Sequence, residues 1–314
     1  MKWISPARLQ NLGIQGMNRR NLDFIGRYNE RRLYPLVDDK LKTKILANQY
    51  AVPVAQLHFV VRHQHEVRHI EGRLEGLQGF AVKPAKGSGG KGILIVSERS
   101  GDTFVKPSGN CLGLDDLRRH LSNILAGLYS LSGVPDVAIV EDLIELDDCF
   151  QGYSHEGIPD LRVIVFRGYP VMAMLRLATH ASDGKANLHQ GAVGVGLDIA
   201  TGRCLNAVQF HRPVQVHPDT GQKLKDIHVP DWPSILVLAA RCYEMTGLGY
   251  MGTDIVIDRS RGPLLLELNA RPGLAIQLAN NQGILPRLEH IESLAGLRPE
   301  PEARVRYAME TFRG

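Results

Sequence analysis

Two stretches decide what this chain can fold into: FAVKPAKGSGGKGI, Phe80 to Ile93, and TDIVIDRSRGPLLLELNARPG, Thr253 to Gly273. In the second, the β-rich runs IVID and LLLELN flank a turn at Arg259–Gly262, which predicts an antiparallel hairpin. A turn centred between Ser260 and Arg261 sets Asp254 directly opposite Glu267. Side chains alternate faces along a strand, so Asn269 shares the face of Glu267. Three oxygen donors converge, a set suited to Mg²⁺, which favours carboxylate and phosphate oxygens. A surface hairpin with polar outward positions is the commoner arrangement. Here, however, Glu267 interrupts an apolar run and Asp254 lies between Gly252 and the run Ile255–Ile257. Burying unpaired carboxylates is costly, and a bound cation resolves that cost.

The glycine-rich stretch satisfies G-x-G-x-x-G through Gly87, Gly89 and Gly92, a weak signal by itself. A dinucleotide fingerprint should open a helix, whereas here ILIVSE, a turn at Arg99–Asp102 and TFVKP follow: strand, turn, strand. Gly92 follows Lys91 where a Walker A loop needs Ser or Thr, and no HRD or DFG motif occurs. What remains is a hairpin whose flexible tip, Gly87, Ser88, Gly89 and Gly90, can close over phosphates through backbone N–H groups. Lys83, at the end of the preceding strand, would reach the α/β-phosphates. A mobile basic hairpin tip is the bland reading of the same residues.

On these residues the chain resembles the ATP-grasp superfamily, and most closely the RimK-type α-L-glutamate ligases. The similarity runs from VDDKLKTKIL (Val37–Leu46) to NARPGL (Asn269–Leu274). It implies an α+β fold of two lobes whose antiparallel sheets sandwich ATP, with the usual N-terminal Rossmann-like domain shortened or missing. The expected division is a short basic segment 1–37, a lobe 38–145 with the glycine-rich hairpin and adenine hinge, and a lobe 146–314 with the metal hairpin and substrate side. The resemblance further implies that Lys40 or Lys44, together with Lys83, contacts ATP phosphates. Glu141, Asp142 and Leu143 would read the adenine on the strand AIVEDLI, and Asp148, or alternatively Asp147, would bind the ribose. Arg162 on PDLRVIVF would contact substrate or phosphate, and Arg176 and Asn187 would lie near the γ-phosphate. Asp254, Glu267 and Asn269 match the family's metal triad, with Mg²⁺, or Mn²⁺ in its place. Arg271 can face either the phosphate or the carboxylate substrate.

The reaction so implied joins a carboxylate to an amine through an acyl phosphate, adding glutamate or a related amino acid to a peptide, a protein tail or a small amine. Positioning and charge neutralisation dominate phosphoryl transfer, so Lys83, Lys44, Arg176, Arg271 and the metal suffice without a side-chain nucleophile. A small-molecule kinase on the same fold and a silent nucleotide-binding regulator are the alternatives. A homo-oligomer completing the pocket is compatible with the short N-terminus.

Other functions are disfavoured. The net charge of +4 is mild, and its excess near Arg19, Arg20, Arg27, Arg31, Arg32 and Arg62–Arg73 reads as solvated surface, so no nucleic-acid partner is expected. No apolar run approaches the ~18 residues of a membrane span, and MKWISPARLQNLG has no signal-peptide core. Cys111, Cys149, Cys204 and Cys242 lack CxxC spacing and read as reduced thiols of a cytoplasmic protein. HEVRH, His65–His69, is a literal zincin motif, but it lies in a stretch that reads as a polar, solvated helix over 61–77. A helix is expected from Asp38 or Asp39 to Gln49. Another carries the stripe Leu117, Leu121, Ile124, Leu125 and Leu128, capped by Asp115 and stopped by Gly133. Hairpins over 161–177 and 192–208 and a helix near 233–246 complete the order.

Overall fold

A computed structural model describes residues 5–87, 89–130 and 133–313. The chain divides into two compact units. The smaller comprises Asp38–Ile45 and Val54–Glu145; the larger comprises the residues up to Val37, Leu46–Pro53 and those from Leu146 onward.

The smaller unit contains strands β1 (Leu57–Val61), β2 (Phe80–Pro84), β3 (Leu94–Val96), β4 (Glu98–Ser100), β5 (Thr103–Val105), β6 (Cys111–Gly113) and β7 (Ala138–Glu141). An antiparallel sheet has the order β1-β7-β2-β3, and β4-β5-β6 form a second. Helix Leu114–Leu125 buries Leu117, Leu121, Ile124 and Leu125 in the core around Phe80, Val82, Val96 and Phe104. It starts where the Asp116 carboxylate accepts the Gly113 N–H at 3.1 Å, an acidic first turn that also suits the helix dipole. The expected stripe ends early. Gly127 (φ +80°) turns the chain so tightly that a Cβ there would meet the Val134 carbonyl oxygen at 2.2 Å, so helical spacing stops and Leu128 is 66% exposed.

The expected solvated helix over 61–77 does not form. Its place is taken by the end of β1 and two single turns, Gln64–Val67 and Ile70–Arg73. Two causes combine: β1 pairs with the distant β7, and the Glu66 carboxylate accepts the Arg62 and His63 N–H groups at 2.6 and 2.8 Å, starting a new turn at Gln64. Val61, Val67, Ile70 and Leu74 are thereby buried.

The larger unit holds β8 (Asp160–Phe166), β9 (Tyr169–Leu177), β10 (Val193–Leu197), β11 (Cys204–Gln209), β12 (Arg212–Pro213), β13 (Tyr250–Asp258) and β14 (Gly262–Asn269). They form one antiparallel sheet in the order β12-β11-β10-β9-β8-β13-β14. Helix Trp232–Thr246 buries Ile235, Leu236, Ala239 and Cys242 and stops at Gly247 (φ +71°). Short helices between Pro6 and Tyr28 carry Phe24 and Tyr28, which pack edge-on against Phe166 with ring centroids 5.5 and 4.9 Å apart. In the β13–β14 hairpin the Asp258 carboxylate accepts the Ser260 and Arg261 N–H groups at 3.0 and 2.9 Å, building the turn at the expected place. The α+β class with antiparallel sheets is as anticipated. Among the described residues, no helix is long and apolar enough to cross a membrane.

The early end of helix Leu114–Leu125 separates two leucines that the sequence treats alike. Leu121→Ala should cost about 2–5 kcal/mol of unfolding free energy, whereas Leu128→Ala should stay within about 0.5 kcal/mol. Urea denaturation of the two variants measures both.

Candidate functional site

In the smaller unit, two lysines from distant segments converge on one buried carboxylate. Helix Lys40–Gln49 brings Lys44, and β2 brings Lys83 beside β7, which ends at Glu141. Lys44 Nζ lies 2.7 Å from Glu141 and also donates to the Ala55 carbonyl; Lys83 Nζ pairs with the other Glu141 oxygen. Burial works against the Glu141 charge, but Lys83 and Lys44 outweigh it and hold its carboxyl below the usual range. For Lys44 burial is the larger influence and lowers its ammonium despite Glu141. A group with this charge balance is suited to phosphate oxygens, which can take over the lysine N–H donors.

The glycine-rich segment is the connection of the antiparallel β2–β3 pair, as expected. Lys40 Nζ donates to the Gly87 carbonyl at 2.6 Å, so Lys40 anchors the start of this loop. A Cβ on Gly87 would meet Pro84 at 2.3 Å, while Gly89 and Gly90 adopt φ of +61° and +75° with open space around them. Ser88 lies outside the described residues. Beyond Glu141, two further expected hinge residues are held locally: Asp142 N–H donates to the Gln56 carbonyl at 2.9 Å, its carboxylate pairs with His58 at 2.8 Å, and Leu143 packs where a Cβ on Gly79 would otherwise stand.

In the larger unit the register places Asp254 directly opposite Glu267 and Gly252 opposite Asn269. On the other side of β13, Asp254 pairs in register with Arg162 of β8, and Arg176 of β9 with Asp160 of β8. Asp254, 2% exposed, is therefore not the unpaired carboxylate that the sequence suggested. Arg162 grips it with two N–H donors, Arg176 Nη2 lies 2.8 Å away, and Asn269 Nδ2 donates to it at 3.3 Å. Arg176 also forks onto Asp160, with both bonds at 2.5 Å. Two buried carboxylates and two guanidiniums thus form one network, in which Asp160 is a member that sequence reasoning missed. Its only signal was its place in PDLRVIVF, two residues before Arg162.

The two carboxylates are driven apart. Burial pushes Asp254 up, but the charges of Arg162 and Arg176 outweigh it and keep it ionised below the usual range. Burial pushes Asp160 up to about 6, against Arg176 and with the Asp254 charge adding to the push. Asp254, half-buried Glu267 and the carboxamide oxygen of Asn269 are of the oxygen-donor type that Mg²⁺ or Mn²⁺ takes, with the Asp254 carboxylate shared with Arg162 and Arg176.

The remaining candidates make local contacts. Asn187 accepts the His189 N–H at 3.0 Å and so caps a turn; Asp148 pairs with Arg259 at 2.6 Å on an exposed surface; Asp147 caps the turn at Cys149. Arg271 is exposed, with its guanidinium 5.3 Å from the Tyr34 ring centroid. The HEVRH stretch fails as a zinc site, because its histidines fall on separate short turns and Glu66 is engaged by Arg62, His63 and Arg73. Among the described residues, no group of three or more His, Cys, Asp or Glu is placed to hold a metal ion.

A lysine-bearing sheet with a glycine-rich connection, and a second sheet whose last hairpin opposes two carboxylates, define the ATP-grasp class. The model of the sugar-transfer associated ATP-grasp family matches residues 19–293, and the chain belongs to that family. Among solved structures, D-cycloserine synthetase DcsG is similar at 15% identity, over 87% of this chain and 78% of its own, with a TM-score of 0.48. D-alanyl-alanine synthetase A from Vibrio cholerae follows at 10% identity, 89% and 66% coverage and a TM-score of 0.45. The ATP-grasp ligase PsnB with its minimal precursor shows 14% identity and a TM-score of 0.42, over 85% of this chain and only 63% of PsnB. No curated protein sequence matches the chain.

Removing one member of a buried ion group leaves the others uncompensated. Glu141→Gln should destabilise the protein by about 3–5 kcal/mol, read by chemical denaturation. Asp160 sets a pH dependence. Its folded value, about 6, lies above the ordinary 3.8, so the stabilisation from protonated Asp160 is complete below the ordinary value and fades as pH rises through 6. Asp160→Asn should lack this loss, and its thermal midpoint relative to wild type should climb between pH 4 and pH 7.

Proposed function

We propose that this protein is an ATP- and Mg²⁺-dependent carboxylate–amine ligase. The observation that carries the reading is the oxygen set on β13–β14, with Asp254 opposite Glu267 and Asn269 on the same face two residues on. Membership of the ATP-grasp superfamily supports it. Bound Mg²⁺–ATP would supply the phosphoryl donor and the positive charge at its oxygens. Lys44 and Lys83 would give their N–H donors to phosphate oxygens, with Glu141 keeping both side chains in place when no nucleotide is bound. Asp254, Glu267 and Asn269 would hold the metal, and Arg162 would keep Asp254 ionised. Arg176, held by Asp160, would neutralise charge on the transferring group, and exposed Arg271 would meet the phosphate or the carboxylate substrate.

In the first step a substrate carboxylate oxygen attacks the γ-phosphorus, the bond to the bridging oxygen breaks and ADP leaves. In the second an amine attacks the acyl carbon, phosphate leaves and the amine proton passes to solvent, giving an amide. Following the RimK-type resemblance, the amino acid added would be glutamate or a related one, and the acceptor a peptide, protein tail or small amine.

ADP release from Mg²⁺–ATP, measured across amino acids singly and in pairs, tests the proposal. Release that requires two substrates is expected, as is an acyl hydroxamate when hydroxylamine replaces the amine. Glu267→Ala should lower turnover at least about 10²-fold, the scale of losing one transition-state charge stabiliser. Near-wild-type turnover in Glu267→Ala would overturn the metal assignment, and phosphorylated product without amide would mark a kinase.

A further inference from the structure

The β13–β14 hairpin is held at its open end by groups from the N-terminal segment. β14 leaves the ladder after Asn269, whose partner is Gly252. Two residues further along β13, the Tyr250 peptide needs new partners, and the side-chain amide of Asn29 provides them. Asn29 Oδ1 accepts the Tyr250 N–H at 2.8 Å, and its Nδ2 donates to the Tyr250 carbonyl at 2.7 Å and to the Ala270 carbonyl at 3.3 Å. Asn29 is 4% exposed, so these bonds are made away from water.

The next two residues are held from the same segment. The Arg271 guanidinium lies over the Tyr34 ring, and Arg20 Nη1 donates to the Pro272 carbonyl at 2.7 Å. Each residue from 270 to 272 is thus fixed by one side chain of residues 20–34. Pro272 in turn lies where a Cβ on Gly252 would come within 2.8 Å of it, beside Arg162 at 3.2 Å. The departure of the chain after Asn269 is over-determined by these contacts.

Resting on the metal reading of this hairpin, we propose that Asn29 is a positioning residue for the metal site, with Arg20 as its support. Its amide substitutes for the missing strand at the end of β13 and fixes where Ala270 departs, which sets the orientation of Asn269 and Arg271. Groups that orient metal ligands without touching the ion typically change metal affinity about 10–100-fold when removed.

The test is Mn²⁺ binding in the presence of saturating AMP-PNP, followed by electron paramagnetic resonance well below the melting temperature of each variant. Asn29→Ala should raise the Mn²⁺ dissociation constant about 10-fold or more. Arg20→Ala, at a half-buried position outside the core, should raise it severalfold and keeps the test decisive if Asn29→Ala does not fold. Tyr28→Phe, which removes a 2.5 Å bond to Glu292 in the same segment, should leave the constant unchanged. Unchanged constants in Asn29→Ala and Arg20→Ala alongside weakened binding in Glu267→Ala would overturn the positioning role and leave the metal reading intact. Absence of nucleotide-dependent Mn²⁺ binding in the wild type would overturn both.

Discussion

The larger unit is organised around a carboxylate that is buried and still charged. Asp254 lies in the middle of β13, a strand buried along its whole length, where an isolated anion would cost many kcal/mol. The antiparallel sheet solves this by register: β8 places Arg162 beside Asp254, and β9 brings Arg176 against both Asp254 and Asp160. The network carries two negative and two positive charges, so none is left uncompensated. Burial outweighs the arginines at Asp160 and raises its carboxyl, whereas at Asp254 the arginines outweigh burial, so the group facing Glu267 is the more firmly ionised of the two. Register and charge balance are one constraint seen two ways.

The smaller unit meets the same demand with lysines in place of arginines. Two cationic side chains share one buried carboxylate, Glu141, brought together by the β2–β7 pairing and by the helix that carries Lys44. Buried ion groups of this kind add little net stability compared with apolar packing, and their usual return is specificity of arrangement. Here the arrangement brings two N–H-rich side chains to the same carboxylate. Lys40 and Gly87 then tie the glycine-rich connection to the same helix, while Gly89 and Gly90 keep positive φ angles and open surroundings.

Much of this was legible in the sequence, and most of what was missed depends on distant partners. The facing of Asp254 and Glu267 followed from strand alternation about the turn near Ser260, a local relation that needs no knowledge of the rest of the chain. The stripe Leu117, Leu121, Ile124 and Leu125 was readable for the same reason. Leu128 was misread because Gly127 ends the periodicity that the stripe assumes. The stretch 61–77 was misread because its polar composition hid four residues that the β1–β7 pairing carries into the core. Asp160 and Asn29 went unnoticed because their partners lie 16 and 221 residues away along the chain.

The sequence by itself determined the donor types: two lysines and a glycine-rich connection in one half, and two carboxylates with an asparagine at hairpin spacing in the other. Residue identity and short-range alternation suffice for that, because hairpin geometry is set within a dozen residues. Only the tertiary structure decided the state of those donors. Whether Asp254 stands alone or between two arginines, whether Lys83 is free or shares Glu141 with Lys44, and what holds the chain beyond Asn269 all depend on strands and segments far apart in sequence. Their juxtaposition is fixed by burial and register, which no local pattern encodes.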